Sequence, residues 1–174
     1  MDWSQALLEV IDPKAFASLW YWVIVAVMWS SVSHWVLGVP YDMIQRARRH
    51  GGEAEEDLVD LVRINVTRLL AIAQTAGLIL IGLVCFILTS LGILAFWYWL
   101  ELAQAFFLLA FPLSIVGAVS LSTAKLIRAQ EPLGEALFSV LNRHRLWTQI
   151  IGMISIFVTA MFGMYQNLFI LRGL

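Results

Sequence analysis

Charged side chains are scarce in this chain, and their scarcity excludes most classes of soluble protein. Asp, Glu, Lys and Arg make up 13% of the 174 residues, against roughly 25% in soluble domains. The formal net charge is −1, so the chain has no basic field with which to bind nucleic acid. The hydrophobic content of 61% instead predicts an integral membrane protein whose solvent is the lipid bilayer.

Residues with catalytic or metal-binding chemistry are also few. Cys85 is the only cysteine, which excludes an internal disulfide, and the three histidines show no metal-ligand spacing. The chain contains no Walker loop, no GxGxxG or HExxH motif and no recognisable pair of nucleophile and base. We therefore expect a protein that is not an enzyme and that holds no metal and no cofactor.

Four apolar runs are long enough to cross a bilayer as helices. They cover about residues 16–38, 69–92, 98–124 and 146–171. The second and third runs belong to one stretch, 69–124, whose only charged residue is Glu101, and this stretch is too long for one span. We place its turn between Gly92 and Tyr98. The sequence thus predicts an all-α fold, an integral membrane four-helix bundle that forms a single domain over residues 1–174.

The distribution of Lys and Arg predicts the orientation of this bundle. Segments 39–68 and 125–145 carry nine of the 11 basic residues, and the other two are Lys14 and Arg172. Since basic loops remain on the cytoplasmic side of a membrane, we expect both segments to be cytoplasmic and both termini to lie on the outer side. The N-terminus lacks a basic region, so we expect the first apolar run to be retained and not cleaved as a signal peptide.

The tripeptide Trp-Tyr-Trp occurs twice, at residues 20–22 and 97–99. Trp and Tyr collect at the level of the lipid headgroups, so the two copies are expected to mark the outer ends of the first and third helices. A duplicated helical hairpin would also explain the repetition, and both explanations remain open.

Small residues recur at helical spacing on three of the four predicted spans. Because lipid gives no hydrophobic drive for helix association, such seams allow close helix approach, and we expect these three spans to pack together. The first span is bulky instead, so we expect it at the rim of the bundle or against another subunit. The seams comprise Gly82, Cys85, Thr89 and Gly92; Ala103, Ala110, Ser114 and Gly117; and Gly152, Ser155, Thr159 and Gly163.

The first cytoplasmic segment contains a glycine pair, an acidic cluster and then an apolar stripe. The stripe comprises Leu58, Val62, Val66, Leu69 and Ile72, which recur at helical spacing. Two interpretations are open, since the stripe either packs on the amphipathic segment 131–141 or binds a partner protein. The candidate partner contacts are Trp29, Arg46, Arg48, Arg49, Glu55, Glu56 and Asp60.

Polar side chains near the membrane are the candidates for an ion pathway. Glu101 is expected at an interfacial helix start, although a turn at 90–92 would place it inside the bilayer as an ion or proton site. His34 is expected to be an interfacial, hydrogen-bonded side chain. The alternative function is therefore a small homo-oligomeric ion channel or transporter with Ser30, His34, Glu101 and Ser114 as pore candidates.

Three stretches carry a family resemblance: HWVLGVPYDMIQRARR, FWYWLELAQAFFLLAFP and IGMISIFVTAMFGMYQNL. Over nearly its whole length the chain resembles small membrane proteins of alphaproteobacteria, some of which carry the label "component of SufBCD complex". The resemblance implies a multi-pass protein of the bacterial inner membrane. The label implies an iron–sulfur assembly partner, which the single Cys85 does not support. We expect a non-catalytic accessory or scaffold subunit of a larger inner-membrane complex, with self-association as the other mode of assembly.

Overall fold

The computed structural model of the protein describes residues 15–172, apart from the side chains of Ala17 and residues 169–172. Lys14, the expected N-terminal segment around it and the side chain of Arg172 lie outside the described residues. The predicted all-α class is confirmed, with one short β-hairpin added. A 3-10 turn, Ala15–Ala17, is followed by α1 (Leu19–His34), β1 (Trp35–Val36), β2 (Val39–Pro40), α2 (Tyr41–His50), α3 (Glu53–Phe96), α4 (Glu101–Gln130) and α5 (Glu135–Arg172).

Among the described residues, three helices are long and apolar enough to cross a membrane, namely α3, α4 and α5. The most apolar of them is α3, with a mean hydropathy of 2.8 in its most apolar window and only 6% of that window buried. Its 44 residues extend about 66 Å, roughly twice the hydrocarbon thickness of a bilayer. Helix α1 has 16 residues and extends about 24 Å, so it is shorter than the predicted first span.

The turn between α3 and α4 overlaps the end of the expected range, 92–98, and extends two residues beyond it. Helix α3 continues through Gly92 to Phe96, and the turn covers residues 97–100. The last carbonyls of α3 accept hydrogen bonds at once: Ile93 O from Trp97 N at 2.9 Å and Leu94 O from Leu100 N at 3.1 Å. Because these bonds satisfy the helix end, Gly92 is not needed to break the helix.

A β-hairpin that the sequence pattern does not indicate connects α1 to α2. Val36 and Val39 pair across a two-residue turn in which Leu37 and Gly38 have φ values of 53° and 76°. Both valines are buried, so the hairpin anchors the chain to the bundle where α1 ends. A two-residue turn with both φ values positive is the connection that matches the twist of paired strands.

The two ends of the bundle differ in composition, one being rich in charged residues and the other in aromatic residues. The charged end comprises residues 35–68 and 124–146, and the aromatic end comprises residues 15–22 and 96–105. At the charged end, a hydrophobic core joins α2, α3, α4 and α5. Its buried members are Val36, Val39, Ile44, Ala47, Leu58, Val62, Val66, Ala124, Ile127, Leu137, Phe138 and Leu141.

The apolar stripe of α3 belongs to this core. Leu58, Val62 and Val66 are at most 3% exposed and pack in the same cluster as Leu137 and Leu141 of segment 131–141. The interpretation in which the stripe packs on that segment is therefore confirmed. The buried part of the stripe is not available as a docking surface for a partner.

Helix α1 lies at the periphery of the bundle, as expected, with one face buried: Val25 and Trp29 are its buried residues, whereas Leu19, Trp20, Ile24 and Val27 are exposed. Trp29 is 4% exposed and lies against Gly152 of α5, where an added Cβ would be 2.8 Å from its ring. Phe16, just before α1, packs in the same way on Gly163. The small-residue seam of α5 is thus filled by large aromatic side chains of this chain.

The three spans pack side by side as expected, α3 on α4 and α4 on α5, but their small residues do not all lie at these contacts. On α3, Gly82, Cys85 and Thr89 are exposed, and a Cβ added at Gly82 would have no atom within 4 Å. On α4, Gly117 also faces open space. Only the seam of α5 is fully covered within the described residues, since its four members, Gly152, Ser155, Thr159 and Gly163, are buried.

Candidate functional site

A buried glutamine is the centre of a polar cluster at the aromatic end. Gln104 of α4 is fully buried, and its Nε2 donates to the carbonyl oxygen of Ala95 at 2.8 Å. Its Oε1 accepts a hydrogen bond from Nε2 of Gln166 on α5. One side chain therefore joins the C-terminal end of α3 to α4 and α5, and it satisfies a carbonyl that the helix end leaves without a partner.

Glu101, one of the pore candidates, starts a helix and binds the backbone of Phe16 just before α1. It is the first residue of α4, and its Oε1 accepts a hydrogen bond from the backbone N–H of Phe16 at 2.9 Å. A carboxylate at this position also interacts favourably with the helix dipole. Tyr21 and Trp22 reinforce the contact, because they donate to Ala105 O at 3.3 Å and Phe16 O at 3.0 Å.

The other pore candidates do not converge on one another. Ser30 and His34 are exposed on α1, and the ring of His34 lies edge to face with that of the neighbouring Trp35, with 6.0 Å between the ring centroids. Ser114 donates to the carbonyl oxygen of Phe111 in its own helix at 2.6 Å. A polar pathway through a single copy of the chain is therefore not assembled from these residues.

A buried histidine at the charged end is a feature that sequence reasoning did not single out. His144 is 4% exposed, and its Nε2 lies 3.0 Å from Oγ of Ser120. Ser120 uses its single hydroxyl proton toward Val116 O, at 2.8 Å, so Nε2 must carry a proton and donate. Nδ1 of His144 is buried without a partner, which leaves one polar atom unsatisfied between α4 and α5.

A basic cavity of about 230 Å³ lies between α2 and α5 at the charged end. Arg145 lies beside the cavity, and its guanidinium carbon is 3.6 Å from the centre of the ring of Tyr41, a residue that lines the cavity. This cation–π contact holds Arg145 in place. The cavity is lined by Tyr41, Ile44, Gln45, Arg48, Arg49 and Asn142.

The basic partner-contact candidates lie on the surface of α2. Arg46, Arg48 and Arg49 are exposed. An ion pair joins Arg48 to Glu135 at 3.9 Å, with both side chains largely exposed. Such a pair contributes only about 0–1 kcal/mol, so these charges remain free to interact with a partner or with lipid.

The acidic candidates lie in the first two turns of α3, and Trp29 lies elsewhere. Glu56 and Asp60 are exposed, whereas Glu55 is half-buried. Asp60 pairs with Arg63 on its own helix at 2.9 Å. Trp29, the remaining candidate, is buried against α5; the expectation that it contacts a partner is corrected, because the side chain is already used inside the chain.

No known protein provides a guide to this site. Comparison with protein families, with curated proteins and with solved structures found no match. Over the described part of the chain, no group of three or more His, Cys, Asp or Glu side chains is arranged to hold a metal ion. Functional inference therefore depends on the surfaces and cavities of the molecule itself.

Proposed function

We propose that this protein is a non-catalytic accessory or scaffold subunit of a larger complex in the bacterial inner membrane. The observation that carries the proposal is the stripe of small residues Gly82, Cys85 and Thr89, which we call the α3 face, on a part of α3 where residues 78–87 are all exposed. All three residues are exposed, and the position of Gly82 is open. Small residues on a membrane helix are typical of a surface that meets another helix.

The way in which α5 uses its own small residues supports this interpretation of the α3 face. Gly152 and Gly163 receive the large rings of Trp29 and Phe16, each in close contact. The small residues of the α3 face have no such occupant from this chain, since a Cβ added at Gly82 would have no atom within 4 Å. A partner helix that supplies large side chains would fit this face by the same packing.

The charged end supports the proposal with a second surface of different chemistry. Arg46 on α2 and Glu56 and Asp60 on α3 are exposed and carry charges of both signs. Complementary charges at the rim of an interface select the partner and its register. Together, an apolar face within the bilayer and a charged surface outside it are suited to an integral membrane partner.

The proposed arrangement is a four-span bundle with both termini on the outer side. It is supported by the hydrogen bonds near Phe16 and Gln166, which both reach α4 at the aromatic end. The 3-10 turn and α1 together extend about 30 Å, enough for a fourth span. The nine basic residues of 39–68 and 125–145 favour a cytoplasmic charged end.

The experiment is purification of the tagged protein from its native membranes in a mild detergent, followed by native mass measurement and identification of every bound subunit. The proposal predicts one or more foreign subunits in fixed stoichiometry. Gly82→Leu, which adds bulk on the α3 face, should release them. Leu80→Phe, which adds bulk on the opposite side of α3, is the matched control and should retain them.

A pure homo-oligomer or monomer, with no foreign subunit in any mild detergent, would contradict the accessory role. Foreign subunits that stay bound equally well to Gly82→Leu would instead contradict the assignment of the α3 face as their contact. Thermal unfolding of both variants serves as the check that each one is folded.

A further inference from the structure

The cavity between α2 and α5 has the composition of an anion-binding site. Its lining contributes guanidinium groups from Arg48 and Arg49 and amide groups from Gln45 and Asn142. Guanidinium groups match the geometry of phosphate oxygens and donate several hydrogen bonds at once. The volume of about 230 Å³ is large enough to admit a group of this size.

The acidic groups around the cavity do not neutralise it. Glu135 is the carboxylate paired with Arg48, at the long distance of 3.9 Å, and its side chain is 80% exposed. Arg49 donates to the neutral Oε1 of Gln45 at 3.1 Å. Both guanidinium groups therefore retain donors for an anion.

Arg145 adds a third positive charge beside the cavity. Its guanidinium lies over the ring of Tyr41, and its Nε is buried without a hydrogen-bond partner. The charge is thus fixed by stacking and is not cancelled by a carboxylate contact at this atom. An anion in the cavity would lie within the field of three arginines.

The position of the cavity along α5 points to a lipid as the source of the anion. Directly after Arg145, Leu146 and Trp147 are 55% and 53% exposed, so apolar surface begins one residue beyond the basic group. Trp side chains in this position are typical of the interface between headgroups and hydrocarbon. A headgroup in the cavity would leave its acyl chains along this apolar surface.

We propose that the cavity binds the headgroup phosphate of an anionic phospholipid. The shared chemistry is that of any phosphate-bearing anion, and the exposed Leu146 and Trp147 favour a lipid over a soluble phosphate. Clusters of basic residues next to the cytoplasmic end of a membrane helix are a known mode of anionic-lipid recognition, and here the polar helix α2 supplies the arginines beside α5.

The test uses the full chain in detergent, where no bilayer surface potential contributes. Phosphatidylglycerol, phosphatidylcholine and inorganic phosphate are titrated separately, and bound molecules are counted by native mass measurement. The double variant R48Q/R49Q removes two charges from the cavity. R46Q/R143Q removes two exposed charges from the same two helices outside the cavity lining and is the matched control.

The proposal predicts one retained phosphatidylglycerol and an affinity for it at least tenfold above that for phosphatidylcholine. R48Q/R49Q should lose about tenfold or more of that affinity, and R46Q/R143Q less than about threefold. Equal affinity for the two lipids, or equal losses in the two variants, would overturn the proposal. Inorganic phosphate that binds as tightly as phosphatidylglycerol would overturn the assignment to a lipid. Thermal unfolding shows that each variant is folded.

Discussion

The indole ring of Trp29 lies directly on Gly152, with only 2.8 Å between ring atom Cε3 and the position that a Cβ at residue 152 would occupy. Gly152 therefore has no space for even one methyl group unless the ring moves. The contact joins the shortest of the apolar helices, α1, to the seam of α5, and Trp29 is the most deeply buried aromatic residue of α1.

The first prediction concerns this contact. Gly152→Ala should destabilise the protein by about 1–3 kcal/mol because the added methyl group overpacks the interface. Gly82→Ala, at an open position of α3, is the control and should be neutral or slightly stabilising. Unfolding in mixed detergent measures both, and the double variant W29F/G152A should lose less than the sum of the single changes. Additive losses would contradict direct contact.

The second prediction concerns Gln104. Gln104→Leu leaves Ala95 O and the Gln166 amide without their partner, and it should cost about 1–2 kcal/mol of unfolding free energy. Gln74→Leu changes the same chemical groups at an exposed position of α3. It should have little effect in the same unfolding assay. Equal losses for the two variants would show that the buried cluster contributes nothing.

The third prediction concerns the hydrogen bond by which Glu101 holds the backbone of Phe16. Glu101→Gln keeps an oxygen that accepts from the Phe16 N–H, whereas Glu101→Ala removes it. Hydrogen exchange of the peptide containing Phe16 should therefore accelerate in Glu101→Ala and stay slow in Glu101→Gln. Equal acceleration in both variants would mean that the charge, and not the hydrogen bond, holds this segment.

The fourth prediction tests the core at the charged end. Leu58 is 0% exposed, and Leu58→Ala should cost about 2–5 kcal/mol through the cavity that it creates. Leu78, on the same helix, is 87% exposed, and Leu78→Ala should change stability by less than about 0.5 kcal/mol. Thermal and denaturant unfolding of the two variants measure the difference. Similar losses would mean that the segment before the membrane does not pack as described.

The helices themselves follow from the sequence, because length and apolar composition determine them. The apolar stripe of α3, with Leu58 and Val62, was also predictable from its helical spacing, and segment 131–141 was a correct candidate for its cover. The turn was predicted only within the range 92–98 and lies at 97–100, because helix ends depend on which groups satisfy the last carbonyls. No local signal indicates that Leu100 N will bond to Leu94 O.

Tertiary contacts account for the rest of what the sequence did not predict. The hairpin at 35–40 requires Leu37 at positive φ. Gly or Asn at this position would have predicted such a turn, whereas leucine does not. The role of Trp29 depends on its meeting Gly152, 123 residues away in the chain. The basic cavity unites Arg48 and Asn142 from separate segments, and neither residue carries a signal of its own.

The measurement that tests the central claim most directly is cross-linking from the position of Cys85. This residue is the only cysteine in the chain and is exposed on the α3 face. Because a thiol within the bilayer stays protonated and reacts slowly with maleimides, a photoreactive diazirine amino acid is placed at residue 85 instead. In native membranes the account predicts an adduct with the same foreign subunit that copurifies with the tagged protein. The same photoreactive amino acid at Leu80, on the opposite side of α3, should give little or none of it. Adducts with lipid alone, or the same adducts from both positions, would contradict the claim that the α3 face binds a partner subunit.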